Sequence, residues 1–292
     1  MRRPSVTLDG FETVYDFYEP HEQSRAFARF GHLVLSRVYR TAVTGDDGVD
    51  DAIAEALRAG TRLVISPNHT TADDQYVIVS MAEKVKALHP LRGRAFIPAE
   101  PSLFSRPGLQ GRLLRSAVDG LGAVPTFRLE DLRRRGIEVT PEVEERYRQA
   151  IVRASETQVA KLVAGHSMAG FWEGTRNRSD YRVIQPLRKG IAHTVIAAAE
   201  RVPVALLPVG FYFGGEPDDY QRPVLPGRHT PLVHLGLPIP VASTDPQELI
   251  QELHPAMQRC VDRVVARAGE AEGKTSHSRD ARYRRVCRPS RP

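Results

Sequence analysis

Cysteine is nearly absent from this sequence: 292 residues contain two, Cys260 and Cys287. Cys260 lies on a helical apolar stripe and Cys287 in a basic tail, so no disulfide framework is read and a reduced, cytosolic setting is expected. Long apolar runs are missing as well. None reaches the roughly 18 residues of a membrane-spanning helix, so no span is expected. The amino-terminal stretch MRRPSVTLDGFETVYDFYEP holds no apolar core of a secretory signal. Aromatic residues are sparse at 7%, and in the basic tail only Tyr283 is interleaved with the charges. Such a tail offers no stacking platform, which argues against nucleic acid as a partner. No internal repeat is visible.

Hydrophobic residues at 41% and charged residues at 26% suit a globular chain with one large domain or two small ones. The formal net charge is +6. Much of it sits in the last twenty residues, where Lys274, Arg279, Arg282, Arg284, Arg285, Arg288 and Arg291 face Asp280 alone. This segment cannot form a core and reads as disordered, either a solvated tail or an electrostatic attachment to anionic lipid.

Between Thr61 and about Arg267 the pattern alternates. Short β-rich runs predict strands at Arg62–Ser66, Leu121–Thr126, Met168–Trp172, Val202–Gly210 and Leu232–Leu237. Helical spacing predicts helices over Asp73–Leu88, Glu142–Ala164 and Gly190–Arg201. A last helix starts at Asp245-Pro246, and Pro255 is expected to kink or split it. Arg128–Thr140 is strongly charged and reads as a surface excursion. Alternating strands and helices predict an α/β domain with a central, mostly parallel sheet flanked by helices. Ahead of it, Glu22–Val43 puts Ala26, Phe27, Phe30, Leu33, Val34 and Val38 near one side, with Arg25, Arg29, Arg37 and Arg40 elsewhere. That segment either packs on the core or docks in a membrane interface. The chain is therefore divided into an N-terminal helical segment at 1–60, a main domain at 61–270 and a basic tail at 271–292.

Chemistry gathers at strand ends. Ser66-Pro67-Asn68-His69 follows the first strand, and Thr70-Thr71-Ala72-Asp73-Asp74 leads into a helix. Ligands collect beyond the carboxyl ends of strands in open α/β sheets, which is where His69 falls. An aspartate on the second ring nitrogen would fix the imidazole for proton abstraction. Asp74 fits if His69 is in the turn and Asp74 in the first helical turn; Asp73 is its rival. Thr71 and Asp74 have capping-box spacing. Their plain alternative is a surface histidine beside capping aspartates.

A second cluster is Phe171-Trp172-Glu173-Gly174-Thr175-Arg176, where Gly174 permits close backbone approach and Arg176 offers a forked phosphate donor. Arg178, Arg188 and Lys189 deepen the positive field. A third is Gly120–Arg128, a strand ending on a cation, and a fourth is the proline-bracketed run Val202–Val209.

In this order the four clusters resemble the lysophospholipid and glycerol-phosphate acyltransferase family. Asn68-His69 with Asp74 matches its Asn-His-x4-Asp block, and Gly122 with Arg128 matches a Gly-x5-Arg block. Glu173-Gly174-Thr175-Arg176 matches the third block, and Pro203 with Pro208-Val209 the fourth. Pro186–Gly190 looks like the family's Lys-Gly helix start, and the resemblance spans about Thr61 to Val241. It departs at Trp172, where proline is usual, and at Pro125-Thr126-Phe127.

The resemblance implies that His69 is the general base on an acceptor hydroxyl, with Asp74 orienting it. Glu173 would shape the site with Gly122, Gly174 and Thr175, while Arg176 and Arg128 would hold the acceptor phosphate. The donor would be an acyl thioester, acyl-CoA or acyl-carrier protein, as co-substrate, with no metal or other cofactor. The acceptor would be a lysophospholipid, lysophosphatidic acid first. Backbone amides near His69 or Gly174 would serve the oxyanion. Peripheral contact with the inner face of the membrane, from the cytoplasm, would follow. The adjacent aspartates are also similar to the tafazzin-like transacylase branch, whose donor is a phospholipid. Gly165–Gly170 resembles the nucleophile elbow of serine hydrolases around Ser167, but a helix rather than a strand is expected before it.

Overall fold

The computed structural model of the chain describes residues 3–134, 136–214 and 230–286, with side chains as far as Glu270. Two helices come first, α1 (Phe11–Tyr18) and α2 (Arg25–Tyr39), followed by β1 (Ala42–Gly45) and α3 (Val49–Arg58). Next are β2 (Arg62–Pro67), α4 (Asp74–Lys84), a 3-10 turn at Lys86–Leu91 and β3 (Ala95–Ala99). A second 3-10 turn at Pro101–Phe104 leads through α5 (Gly108–Gly120) to β4 (Ala123–Pro125), α6 (Leu129–Arg134) and α7 (Pro141–Val163). The chain closes with β5 (Ser167–Ala169), α8 (Lys189–Ala199), β6 (Val204–Tyr212), β7 (Leu232–Leu235), β8 (Ile239–Pro240) and α9 (Pro246–Val286).

The strands form one sheet in the order β1-β7-β6-β2-β5-β3-β4, with β8 beside the start of β6. Pairing is parallel except where β7 and β8 meet β6, so the expected mostly parallel sheet is what forms. Strand side chains alternate between two cores, as a sheet buried on both faces requires. Val64, Met168, Val204 and Leu206 join Leu162, Ala192, Leu253 and Met257 under α7, α8 and α9. Leu63, Ile65, Ala205, Leu207 and Phe211 join Ile53, Val77 and Met81 under α3 and α4. Each fully buried Val, Leu, Ile, Met or Phe side chain among them contributes about 1.5–3 kcal/mol of transfer free energy.

Several elements depart from the sequence reading. The first sixty residues are not only helical: β1 pairs with β7 from Ala42↔Leu232 to Gly45↔Leu235 and belongs to the same sheet. The excursion at Arg128–Thr140 carries α6, whose Asp131 and Leu132 are buried. Helix α9 runs through Pro255 unsplit. Its stripe of Leu249, Leu253, Met257, Cys260, Val261 and Val264 is buried, and Gly210 of β6 lets the α9 backbone approach so closely that a Cβ there would meet the Cys260 carbonyl carbon at 2.3 Å. Packing along that stripe outweighs the one hydrogen bond a proline removes. Burial also pushes the Cys260 thiol up to about 12, so it is an inert core group. Cys287 and the side chains of the basic tail lie outside the described residues. Among the described residues no helix is long and apolar enough to cross a membrane.

Candidate active site

Strand β2 delivers Asn68 and His69 to the carboxyl end of the sheet, next to the ends of β5 and β6. Asn68 is 2% exposed and fastens this turn to β6. Its amide donates to the Phe211 carbonyl at 3.0 Å and its oxygen accepts from the Phe211 N–H at 2.6 Å. His69 follows with its ring lying flat on Phe171, centroids 4.1 Å apart and planes 17° from parallel. Its Nδ1 meets Asp74 Oδ2 at 2.9 Å, with 14% of the His69 side chain open to solvent and none of Asp74's.

Asp74 is saturated with donors. Besides Nδ1, its Oδ2 accepts from the Thr70 and Thr71 N–H groups at 2.6 and 3.0 Å. Its Oδ1 accepts from the Thr70 and Thr71 hydroxyls at 3.2 and 2.7 Å. A carboxylate surrounded only by donors accepts the imidazole N–H at Nδ1, which leaves Nε2 as the basic nitrogen. The capping-box expectation holds in half. Asp74 does reach back to the Thr71 N–H, but the Thr71 hydroxyl accepts from Asp73 N–H at 3.0 Å and the helix starts at Asp74. Asp73, the rival orienter, is bonded instead to Tyr39, whose phenol is raised chiefly by burial. A neighbouring ring pair, Tyr39 on Tyr76 at 6.0 Å, closes that flank.

The segment after β5 holds the same turn from the other side. Glu173, 2% exposed, accepts from His69 N–H at 2.6 Å and from Gln185 N–H at 2.9 Å. The Asn177 N–H donates to the His69 carbonyl at 2.7 Å. Trp172 is fully buried and its indole donates to Ser66 Oγ at 2.9 Å, which makes it a floor beneath the turn. Gly174 has φ +71°, which favours glycine, and a Cβ there would push the Arg188 side chain aside. The Arg128 guanidinium donates to the Gly174 carbonyl at 2.8 Å. Arg188 turns to Glu130 at 3.5 Å. Thr175 is exposed, while Arg176 is half-buried and forms no hydrogen bond or ion pair among the described residues.

His69, Asp74, Glu173, Gly174, Thr175, Arg176 and Arg128 are thus gathered at one end of the sheet. Gly122 is not. It precedes β4 at the opposite end, where Gln23 of the 19–25 linker reaches the start of β3. Its φ is +87°, and a Cβ would lie 2.0 Å from Gln23 Nε2 and 2.4 Å from the Ala95 carbonyl. Gly122 therefore makes room for the Gln23–Ala95 hydrogen bond. Ser167 is at that same far end, 1% exposed, with its oxygen accepting from Leu63 N–H at 3.0 Å. No helix follows it directly, so the nucleophile-elbow geometry is absent there. The oxyanion expectation also shifts. The amides of His69, Thr70, Thr71 and Gly174 are all committed within the fold. Those of Thr175 and Arg176 are not, among the described residues.

Sequence reasoning named Phe171 in its cluster but not as the stacking partner of His69, and it missed the clamp residues Asn177 and Gln185. Only Phe171 had a signal, an aromatic two residues before Glu173. A cleft of about 330 Å³ opens beside Arg128, walled by Val6, Leu8, Phe127, Leu132 and Val143.

A His–Asp pair beyond a parallel strand, with Glu173 and Arg176 on the segment after β5, is the arrangement the family's blocks imply. The family model for acyltransferases matches residues 48–212, more than half of the chain. The chain belongs to this acyltransferase family, that of the glycerol-phosphate and lysophospholipid enzymes. No curated protein matches it. The acyltransferase match contains every gathered residue from His69 to Arg176, and it stops at the end of β6. Strands β1, β7 and β8 fall outside the match but complete the same sheet.

Proposed function

We propose that this acyltransferase moves a fatty acyl group from an acyl thioester to the hydroxyl of a lysophospholipid-like acceptor, lysophosphatidic acid first among them. The observation that carries this reading is the His69 ring. Asp74 occupies Nδ1, Phe171 covers one face, and Nε2 is left for the acceptor hydroxyl. The hydroxyl oxygen attacks the thioester carbonyl as Nε2 takes its proton, and the tetrahedral oxyanion forms. When it collapses, the carbon–sulfur bond breaks and the proton on His69 passes to the departing thiolate. The imidazolium formed in between is stabilised by Asp74. The amides of Thr175 and Arg176 are the uncommitted donors on the loop facing His69 and serve the oxyanion in this reading. Arg176, with no partner among the described residues, and Arg128 hold the acceptor phosphate. The donor is acyl-CoA or acyl-carrier protein. A phospholipid donor, as in the tafazzin-like transacylase branch, is the alternative.

Both substrates are amphiphiles, and we place the enzyme peripherally on the cytoplasmic face of a membrane. Support comes from two helices. On α2, Phe27, Phe30, Leu33 and Val34 are exposed among Arg25, Arg29 and Arg37. On α5, Leu109 and Leu113 are 71% and 63% exposed. The helices meet where Gly120 lies against the Phe27 ring. An apolar face rimmed by arginine suits an anionic interface.

The test is acyl transfer from radiolabelled acyl-CoA to a panel of lysophospholipids, with wild type and His69→Ala side by side. Product with wild type alone supports the reading and names the acceptor. Failure with acyl-CoA, acyl-carrier protein and phospholipid donors alike would overturn it.

A further inference from the structure

The reaction as drawn uses His69, Asp74 and the arginines, but leaves unused a fully buried carboxyl group, Glu173. Its two oxygens each accept a backbone N–H, one of them the N–H of His69 itself, and the group is closed off from solvent. The next peptide unit is fixed too, because Asn177 N–H holds the His69 carbonyl. The turn carrying the base is therefore gripped above and below by the loop that follows β5, and Gln185 N–H ties the far end of that loop to the same carboxylate.

We propose that Glu173 is a positioning residue that must be ionised to hold His69 in place, so that transfer depends on two deprotonations rather than one. This rests on His69 being the base. Both neighbours of the carboxyl group are N–H donors, so a proton on either oxygen would replace an acceptor by a donor and weaken the grip. The fold resists that ionisation. Burial, opposed only in part by the two N–H donors and assisted by the nearby charge of Asp74, raises the group to about 7. Other charges near the loop are the guanidinium groups of Arg128 and Arg188, which gather at Gly174, and the His69 ring across the grip.

The consequence has two opposite signs. A carboxyl raised in the folded state binds its proton more tightly than in the unfolded chain. Its contribution to stability is complete below 4.5, the ordinary carboxyl value, and is lost as pH rises through about 7. Catalysis should move the other way, gaining over the upper part of the same window as the grip is completed.

The experiment is the pH dependence of kcat for wild type and Glu173→Gln, with urea unfolding midpoints measured at each pH. For wild type, log kcat should fall with a limiting slope of about 2 on the acid side, because His69 and Glu173 each bind a proton. Glu173→Gln cannot titrate, and its amide presents a donor to one of the two N–H groups. Its slope should be about 1, its kcat at high pH lower by about 10- to 100-fold, and its KM within about twofold. The decline in midpoint between about 4.5 and 7 should disappear. Parallel acid limbs in the two proteins, or a raised KM with kcat unchanged, would overturn the proposal. If the variant does not fold, a wild-type slope of about 1 overturns it by itself. Failure of the underlying reading looks different: His69→Ala would then retain activity whatever Glu173 does.

Discussion

The two ends of the sheet carry similar residues in different circumstances. At the carboxyl end, the fold holds the His69 N–H, carbonyl and Nδ1 and both oxygens of Asp74 but leaves Nε2, and Arg176 has no partner among the described residues. At the amino end the polar groups are consumed by structure. Ser167 accepts from Leu63 N–H, Lys161 donates to the His21 carbonyl at 2.8 Å, and His166 meets Glu22 at 3.3 Å. Arg62 there donates to the Leu162 carbonyl at 3.0 Å. A reactive group needs atoms left over after the fold has used what it requires. By that measure one end is a site and the other is a brace that straps the 19–25 linker across the strands.

The largest expected effect breaks the first half of this contrast. His69→Ala should lower kcat by about 10³-fold while the melting temperature changes little, since the ring leaves Asp74 with four of its five donors. Asp74→Ala should lower kcat comparably and also destabilise the protein, because it strands the buried Thr70 and Thr71 donors at about 1–3 kcal/mol each at most. Circular dichroism melts beside steady-state kinetics separate the two. The next effect belongs to the brace. Gly122→Ala puts a Cβ into the Ala95 carbonyl at a positive φ, which should cost about 2 kcal/mol or more of stability. The folded fraction should keep its kcat, and a variant that folds well but loses kcat would move Gly122 back to the site. Smaller again is Arg176→Ala, expected to raise the KM for a phosphate-bearing acceptor by about tenfold with little change in kcat. An equal KM for an acceptor lacking phosphate would sharpen its assignment.

How much of this could be read beforehand follows from what each signal depends on. Strand β2, helix α7 and strand β6 announce themselves through local apolar pattern, and their expected and observed spans nearly coincide. Strand β3, with Pro98 in a five-residue run, and β1, four residues of mixed burial, have no such pattern. Their place is set by partners such as Leu232 and Ser167, distant in sequence. The site divides likewise. His69 and Asp74 are five apart and local geometry suffices to pair them. Glu173 reads as a substrate group because nothing local tells that its oxygens are met by backbone from residues 69 and 185. Gly122 has motif spacing to Arg128, but three residues of strand carry the two to opposite ends of the sheet.

The smallest expected effect is the one that tests the brace most directly. Ser167 has the surroundings of a hydrolase nucleophile in sequence, yet its hydroxyl oxygen is an acceptor for the Leu63 N–H of β2. Removing it by Ser167→Ala leaves the Leu63 N–H buried between two strands without that partner. The expected cost is about 1 kcal/mol, near the lower limit for an unsatisfied buried donor, because a hydroxyl oxygen is a weaker partner than a carboxylate. Acyl transfer should stay within about twofold of wild type, measured at a temperature well below the lowered midpoint. A loss of transfer far beyond the loss of folded protein would mean that the amino end of the sheet takes part in the chemistry. The contrast between the two ends would then have to be abandoned.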